Sequence, residues 1–306
     1  MNHKLVIRGD RPLNGSITAQ GAKNAALPVM ASALLLKNGT LALDHVPDLH
    51  DVQTMSDLLR NLGADVVFSG GKMEIKTPEC LDWATPPALV RKMRASSLVL
   101  GPLLARCRQA ILPLPGGCAI GSRPIDLHLK GLTKMGAEIR LEHGSVHAEA
   151  KKLRGARIYL DFPSVGATEN LLMAAVLAKG ETVIENAARE PEISNLAEAL
   201  LRMGAQIEGD GTGTIRIKGV EDLQGTDIEI IPDRIEASTY ILAGAVTGGD
   251  VTVKGMEPEH LEALLAKMEE AGVHLSIEGN CVRTLPNGRM SAVSLKTLPY
   301  PGFPTD

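Results

Sequence analysis

Four segments of this 306-residue chain repeat one pattern, and the repeat limits the fold more than any other feature. They are Leu58-Leu-Arg-Asn-Leu-Gly63-Ala, Leu132-Thr-Lys-Met-Gly136-Ala, Leu200-Leu-Arg-Met-Gly204-Ala and Leu265-Ala-Lys-Met-Glu-Glu-Ala-Gly272-Val. The marking glycines stand 73, 68 and 68 residues apart. Each ends an amphipathic stretch, where a left-handed C-cap favours glycine. A pair of short strand-like runs follows each one, as in Gln206-Ile-Glu-Gly and then Thr214-Ile-Arg-Ile-Lys. A small-residue-rich helix and a strand precede it, so the unit reads β-α-β-α-β-β. The expected first helices are Lys23 to Leu36, Met93 to Ala105, Ala167 to Ala178 and Arg234 to Ala245. Repeats of this length must pack against neighbours to bury their apolar faces.

Two irregularities interrupt the pattern. From Gly39, Gly180 and Gly248, which read as closing the first helices, the marking glycine is 24 residues on each time. In the second unit the comparable helix ends near Arg108, 28 residues before Gly136. The added length holds Pro115-Gly-Gly-Cys118-Ala-Ile-Gly-Ser-Arg123-Pro124, and an insertion in one copy of a repeat often maps to a binding face. At the other irregularity, Leu295 to Asp306 matches Ile228 to Asp233 and Ile158 to Ser164, each of which leads into a helix. A fifth unit therefore reads as opening there and stopping, and the chain reads as C-terminally shortened.

Composition narrows the function. The hydrophobic share is 44% and the charged share 22%, as in a globular protein with real cores. A net charge of −4 offers no general attraction to nucleic acid, and 2% aromatics offer few stacking platforms. Cys80, Cys107, Cys118 and Cys281 form no Cys-x-x-Cys pair. Free thiols and the lack of a signal-like or membrane-length apolar run point to a cytoplasmic protein with no membrane insertion. Gly209-Asp-Gly-Thr-Gly213 joins two strand-like runs and precedes no helix, so it is no dinucleotide fingerprint.

The candidate chemistry lies at segment starts. Cys118 sits among glycines with Arg123 five residues on; a nearby cation favours a thiolate, while a buried inert cysteine is the plain alternative. Lys23 and Asn24 read as the first turn of a helix, an anion cradle or a solvated lysine. Arg94, with Arg91 and Lys92, crowds cations onto the next such helix start, where they oppose the dipole unless an anion offsets them. Arg123 could grip a phosphate through two hydrogen bonds or pair with Asp126. Ser164, before Val165 and Gly166, could cap a helix or hold phosphate, and Asp233 and Asp306 stand where N-caps belong. His128, at helical spacing, reads as a satisfied structural histidine.

Seven motifs in chain order then resemble one family. They are Gly21-Ala-Lys23-Asn24-Ala-Ala-Leu-Pro28, Met93-Arg94-Ala-Ser96, Pro115-Gly-Gly-Cys118-Ala-Ile-Gly-Ser-Arg123-Pro-Ile-Asp126-Leu, Ser164-Val-Gly-Ala-Thr168, Glu185-Asn-Ala-Ala-Arg189-Glu-Pro-Glu-Ile193, Pro232-Asp-Arg-Ile-Glu236 and Phe303-Pro-Thr-Asp306. Together they resemble the UDP-N-acetylglucosamine 1-carboxyvinyltransferases, enolpyruvyl transferases of peptidoglycan precursor synthesis. The resemblance implies an inside-out α/β barrel fold built from βαβαββ repeats. A first domain would cover 21–232, and 1–20 plus 233–306 would form an incomplete second one.

It also implies a chemistry: the enolpyruvyl group of phosphoenolpyruvate passes to the 3-hydroxyl of UDP-N-acetylglucosamine and phosphate leaves. No cofactor and no metal take part. Cys118 would protonate the methylene carbon and be the thiol alkylated by fosfomycin, and Asp306 would accept the sugar hydroxyl's proton. Lys23, Arg94 and Arg123 would surround phosphate and carboxylate, with Asn24 on substrate. Arg123, Pro124, Ile125, Asp126 and Leu127, with Ser164, Val165 and Gly166, would line the UDP-sugar site. Phe162 departs from members that carry a lysine there. With its second domain unfinished, the chain would bind weakly and have little or no activity. The alternatives are a UDP-sugar-binding remnant without turnover and a 3-phosphoshikimate 1-carboxyvinyltransferase; the Gly-Gly-Cys loop and the Ala-Arg-Glu-Pro-Glu-Ile segment argue against the latter.

Overall fold

The structure, a computed structural model, describes residues 4, 6, 9–114, 125–286 and 288–304, with the backbone alone at position 94. The chain divides into a large unit, 21–231, and a small one, 1–20 with 232–306. The first repeat runs β1 (Asn14–Thr18), α1 (Lys23–Ser32), β2 (Gly39–Asp44), α2 (His50–Asn61), β3 (Asp65–Ser69) and β4 (Lys72–Thr77). The second runs α3 (Pro87–Val90), α4 (Leu100–Cys107), β5 (Gln109–Pro113), α5 (Asp126–Lys134), β6 (Glu138–Glu142) and β7 (Ser145–Glu149). The third has β8 (Arg157–Tyr159), α6 (Val165–Ala175), β9 (Glu181–Glu185), α7 (Pro191–Arg202), β10 (Gln206–Glu208) and β11 (Thr214–Lys218). The fourth has β12 (Thr226–Glu229), α8 (Arg234–Val246), β13 (Asp250–Lys254), α9 (Glu262–Glu270), β14 (Leu275–Ile277) and β15 (Cys281–Thr284).

The repeated motif is a helix stop with a full set of bonds. Gly63, Gly136, Gly204 and Gly272 have φ of 101°, 92°, 100° and 85°, which a side chain resists. Their amides donate to Arg60, Thr133, Leu201 and Glu269 carbonyls at 2.9–3.0 Å. The amides of Ala64, Ala137, Ala205 and Val273 reach back to Leu59, Leu132, Leu200 and Met268 at 2.9–3.0 Å. These are the paired bonds of a Schellman cap, and both ends of each long-range pair are buried, which gives its accompanying apolar contact. The conserved spacing within the motif is thus the spacing of that cap.

The repeats are not assembled as four consecutive blocks. β12, read as opening the fourth repeat, lies parallel to β2 of the first, from Thr226 beside Leu41 to Glu229 beside Asp44. β1, read as opening the first, lies parallel to β13, from Asn14 beside Asp250 to Thr18 beside Lys254. The two opening strands have exchanged places. The large unit therefore holds sheets β12-β2-β4-β3, β5-β7-β6 and β10-β11-β9-β8, and the small unit holds β1-β13-β15-β14. In the second repeat the opening strand shrinks to a single parallel bridge between Ala84 and Ile111.

Helices fill the interior of the large unit. α1 is buried from Ala25 to Ser32 and α6 from Ala167 to Ala175, and apart from Thr168, Glu169 and Asn170 in α6 these stretches are almost wholly apolar or small. α4 packs on α6, and α1 on α6 and on the 3-10 turn that precedes α4. Close approach rests on missing side chains: a Cβ on Gly131 would stand 2.5 Å from Leu171 Cδ2. Among the described residues no helix is long and apolar enough to cross a membrane.

Two helix boundaries correct the sequence reading. Residues 94–99 form a 3-10 turn and the α-helix starts at Leu100, so Arg94 does not open an α-helix. Pro102 explains it, since it has no N–H for the Leu98 carbonyl and its ring crowds that carbonyl. α1 likewise gives way to a 3-10 turn at 33–35 instead of continuing to Leu36. At its end Asn38, not Gly39, takes the left-handed conformation (φ 47°); Gly39 instead sits against Leu36, where a Cβ would come within 2.9 Å.

Candidate active site

Of the residues expected in a site, Cys118, Arg123, Pro124 and Asp306 lie outside the described residues, as does the side chain of Arg94. The rest occupy helix starts in the large unit. Lys23 and Asn24 form the first turn of α1, which begins without a side-chain cap and without an acid in that turn. Its amides are thus not taken by a capping side chain, and a helix N-terminus favours anions. Lys23 Nζ pairs with Asp51 Oδ2 at 3.1 Å, both partly exposed, and Asn24 is exposed. The position of α1 is set from α7: Asn195 Nδ2 donates to the Glu229 carbonyl (3.1 Å), and its Oδ1 accepts from Ile231 N (3.3 Å). Ile231 O in turn accepts from Ala22 N at 2.7 Å.

Ile125 is the N-cap residue of α5 and is buried, while Asp126 is exposed and Leu127 half-buried. Ser164 caps α6, its Oγ accepting from Ala167 N at 3.4 Å, with Val165 and Gly166 half-buried in the first turn. The capping reading of Ser164 holds. Thr168 then ties this turn to the segment after β9, donating to Ser164 O (2.8 Å) and accepting from Ala188 N (3.1 Å). Asp233 caps α8 in the small unit, accepting from Ile235 N (2.8 Å) and Glu236 N (3.1 Å).

A buried polar network joins these starts. Asn170 of α6 is fully buried; its Oδ1 accepts from Gly101 N at 2.5 Å and its Nδ2 donates to Ser97 O at 2.6 Å. Nδ2 also lies 3.0 Å from Nδ1 of buried His128, the third residue of α5. His128 is therefore satisfied, as the sequence suggested. The starts of α5 and α6 and the segment 97–101 come together at this point.

The neighbouring Glu169 is also buried, with Oε1 unpartnered. Burial pushes its carboxyl well above the usual carboxylate range, and Glu192 and Glu190 on the start of α7 push it the same way. Neither Glu169 nor Asn170 stood out in the sequence reading. Their signal was present: a Thr-Glu-Asn run inside an otherwise apolar helix.

Two comparisons with known sequences bear on this arrangement. The family model of EPSP synthase (3-phosphoshikimate 1-carboxyvinyltransferase) matches residues 7–306. UDP-N-acetylglucosamine 1-carboxyvinyltransferase 2 of Carboxydothermus hydrogenoformans is 53% identical over 305 residues, covering 99% of this chain and 73% of the relative. UDP-N-acetylglucosamine 1-carboxyvinyltransferase 1 of Halalkalibacterium halodurans is 51% identical over 304 residues, covering 99% of this chain and 69% of that one. The chain belongs to the UDP-N-acetylglucosamine 1-carboxyvinyltransferase family. The fold agrees. The enolpyruvyl transferase NikO of Streptomyces tendae superposes with a TM-score of 0.79 at 23% identity, over 91% of this chain and 66% of its own. An EPSP synthase of Acinetobacter baumannii gives 0.69 at 20% identity, with the same coverages. The enolpyruvyl transferase fold implied by the resemblance is the fold observed, and the chain spans about two thirds of these solved structures.

Proposed function

We propose that the chain serves the transfer of the enolpyruvyl group from phosphoenolpyruvate to the 3-hydroxyl of UDP-N-acetylglucosamine, with release of phosphate, in peptidoglycan precursor synthesis. The observation that carries this reading is 51–53% identity across 99% of the chain to two transferases named for that nucleotide sugar. Supporting it, the starts of α5 and α6, which would line the UDP-sugar site, share one buried polar network.

In this reading Cys118 protonates the methylene carbon while Asp306 takes the hydroxyl proton and the sugar oxygen bonds the adjacent carbon. Loss of a methyl proton and of phosphate from that tetrahedral ketal then restores the double bond. Lys23, Arg94 and Arg123 offset the charge of phosphate and carboxylate. Asn24, Arg123, Pro124, Ile125, Asp126, Leu127, Ser164, Val165 and Gly166 hold the substrates.

The test is phosphate release with both substrates, read by phosphorus NMR, for the chain and for Cys118→Ala. Turnover abolished by the substitution is expected. Nucleotide-sugar binding by calorimetry without turnover would favour a binding-only protein, and turnover of shikimate 3-phosphate instead would overturn the assignment. Fosfomycin should label Cys118 ahead of the other thiols. Cys107 in particular is held back, because burial raises its thiol pKa and disfavours the thiolate. Equal labelling of Cys80, which is exposed, would count against a special environment at Cys118.

A further inference from the structure

We propose that His128 and Asn170 are positioning residues that hold the two UDP-sugar segments, 125–127 and 164–166, in register with each other and with residues 97–101. The inference rests on the reading of those segments given above. The hydrogen bonds fix both side chains. Asn170 cannot be turned over: its oxygen faces the Gly101 N–H, and its nitrogen faces the Ser97 carbonyl. A flipped amide would set N–H against N–H and carbonyl against carbonyl. Nδ2 is a donor, so His128 Nδ1 accepts, and the imidazole is neutral with its proton on Nε2.

The ring edge then runs along the first turn of α6. A Cβ at Gly166 would lie 3.4 Å from His128 Cε1 and 3.5 Å from Nε2. His128 thus reads the backbone of one segment while standing on the helix that begins with the other. On the far side the fit is tighter, since a Cβ at Gly101 would stand 2.3 Å from both the backbone oxygen and Oδ1 of Asn170. Gly101 is required there for the amide to reach the turn.

A leucine pair could fill this space with less exacting demands. Apolar contacts have no direction, so they would let the helices slide, whereas a buried amide pays a penalty in any register that leaves it unbonded. The polar pair therefore selects one alignment of three segments.

Steady-state kinetics separate positioning from general stability. His128→Leu removes the acceptor and should raise KM for UDP-N-acetylglucosamine about tenfold, the effect of one lost buried hydrogen bond. KM for phosphoenolpyruvate should stay within about twofold, because in this variant Asn170 keeps its bonds to Ser97 and Gly101 on the segment that carries Arg94. His128→Asn returns an acceptor near the place of Nδ1 and should restore most of the loss. Equal change in both KM values, or no rescue by Asn, would overturn the proposal. A second measurement needs no substrate. In His128→Leu, amide exchange at 165–168 should quicken about tenfold while α9 stays unchanged, and nitrogen NMR of the wild-type protein should show Nδ1 unprotonated. If the wild-type chain turns over neither substrate, the functional reading fails, and the exchange and tautomer results decide the positioning claim alone; unchanged exchange or a protonated Nδ1 would end it.

Discussion

α6 and α8 occupy the same place in their repeats but live in different surroundings. α6, in the large unit, is buried without a break from Ala167 to Ala175. α8, in the small unit, buries Ala237, Ile241, Gly244 and Ala245, while Leu242 is 43% and Val246 71% exposed. Both helices are apolar in composition. The difference is the number of partners: α6 packs on α4, α1, α5 and α7, and α8 on β13 and β15 of its one repeat. Closure of three repeats, not helix composition, makes an all-round buried helix.

Core truncation should expose this contrast most strongly. Leu171→Ala in α6 is expected to cost about 2–5 kcal/mol in denaturant unfolding, as for other buried leucines. Leu242→Ala in α8 should cost under about 1 kcal/mol, because much of that side chain is already in water. Similar losses would break the comparison. The caps should behave in the opposite way. Gly204→Ala and Gly272→Ala place a side chain at left-handed φ and should each cost about 1–2 kcal/mol, equally in both units, because the cap is local. A large inequality would mean that tertiary packing sets the cap.

A third effect depends on pH. Glu169 has a raised pKa when folded, so the folded state holds its proton more tightly than the unfolded chain does. The stability this confers is complete below the unfolded value near 4.5 and is lost as pH rises from there through the folded value. Glu169→Gln should flatten that decline, which thermal melts at several pH values would reveal; an unchanged slope would contradict it. The smallest effects belong to two matching ion pairs, Arg157 with Glu185 in the large unit and Arg283 with Asp250 in the small one. Glu185→Gln and Asp250→Asn should each change stability little, and less still in high salt. A large loss from either in melts at two salt concentrations would contradict this.

The parts of the fold legible in the sequence are those written by local chemistry. A large apolar residue, a glycine four residues on and then alanine or valine announce a cap whose bonds span six residues, so Gly63, Gly136, Gly204 and Gly272 could be read directly. The exchange of β1 and β12 could not, because each strand fits either sheet by its own pattern and the choice is made by residues far away in sequence. The effect of Pro102 on the Arg94 turn was written in the chain, but the run of apolar residues around it reads as one helix. At the site, the helix starts at Lys23 and Ser164 were legible from glycine and cap residues. The Asn170 to His128 link was not, since a bond between residues 42 apart leaves no periodic trace.

The exchanged strands also impose an order on synthesis. Asn14 of β1 pairs with Asp250, and Leu41 of β2 with Thr226, so neither parallel pair can form until more than half of the chain has been made. At about 5–20 residues per second, β1 waits on the order of 10–50 s on the ribosome for its neighbour. An edge of backbone donors stays open all that time, a template that another nascent chain could join. One of the earliest strands made is therefore among the last to be protected.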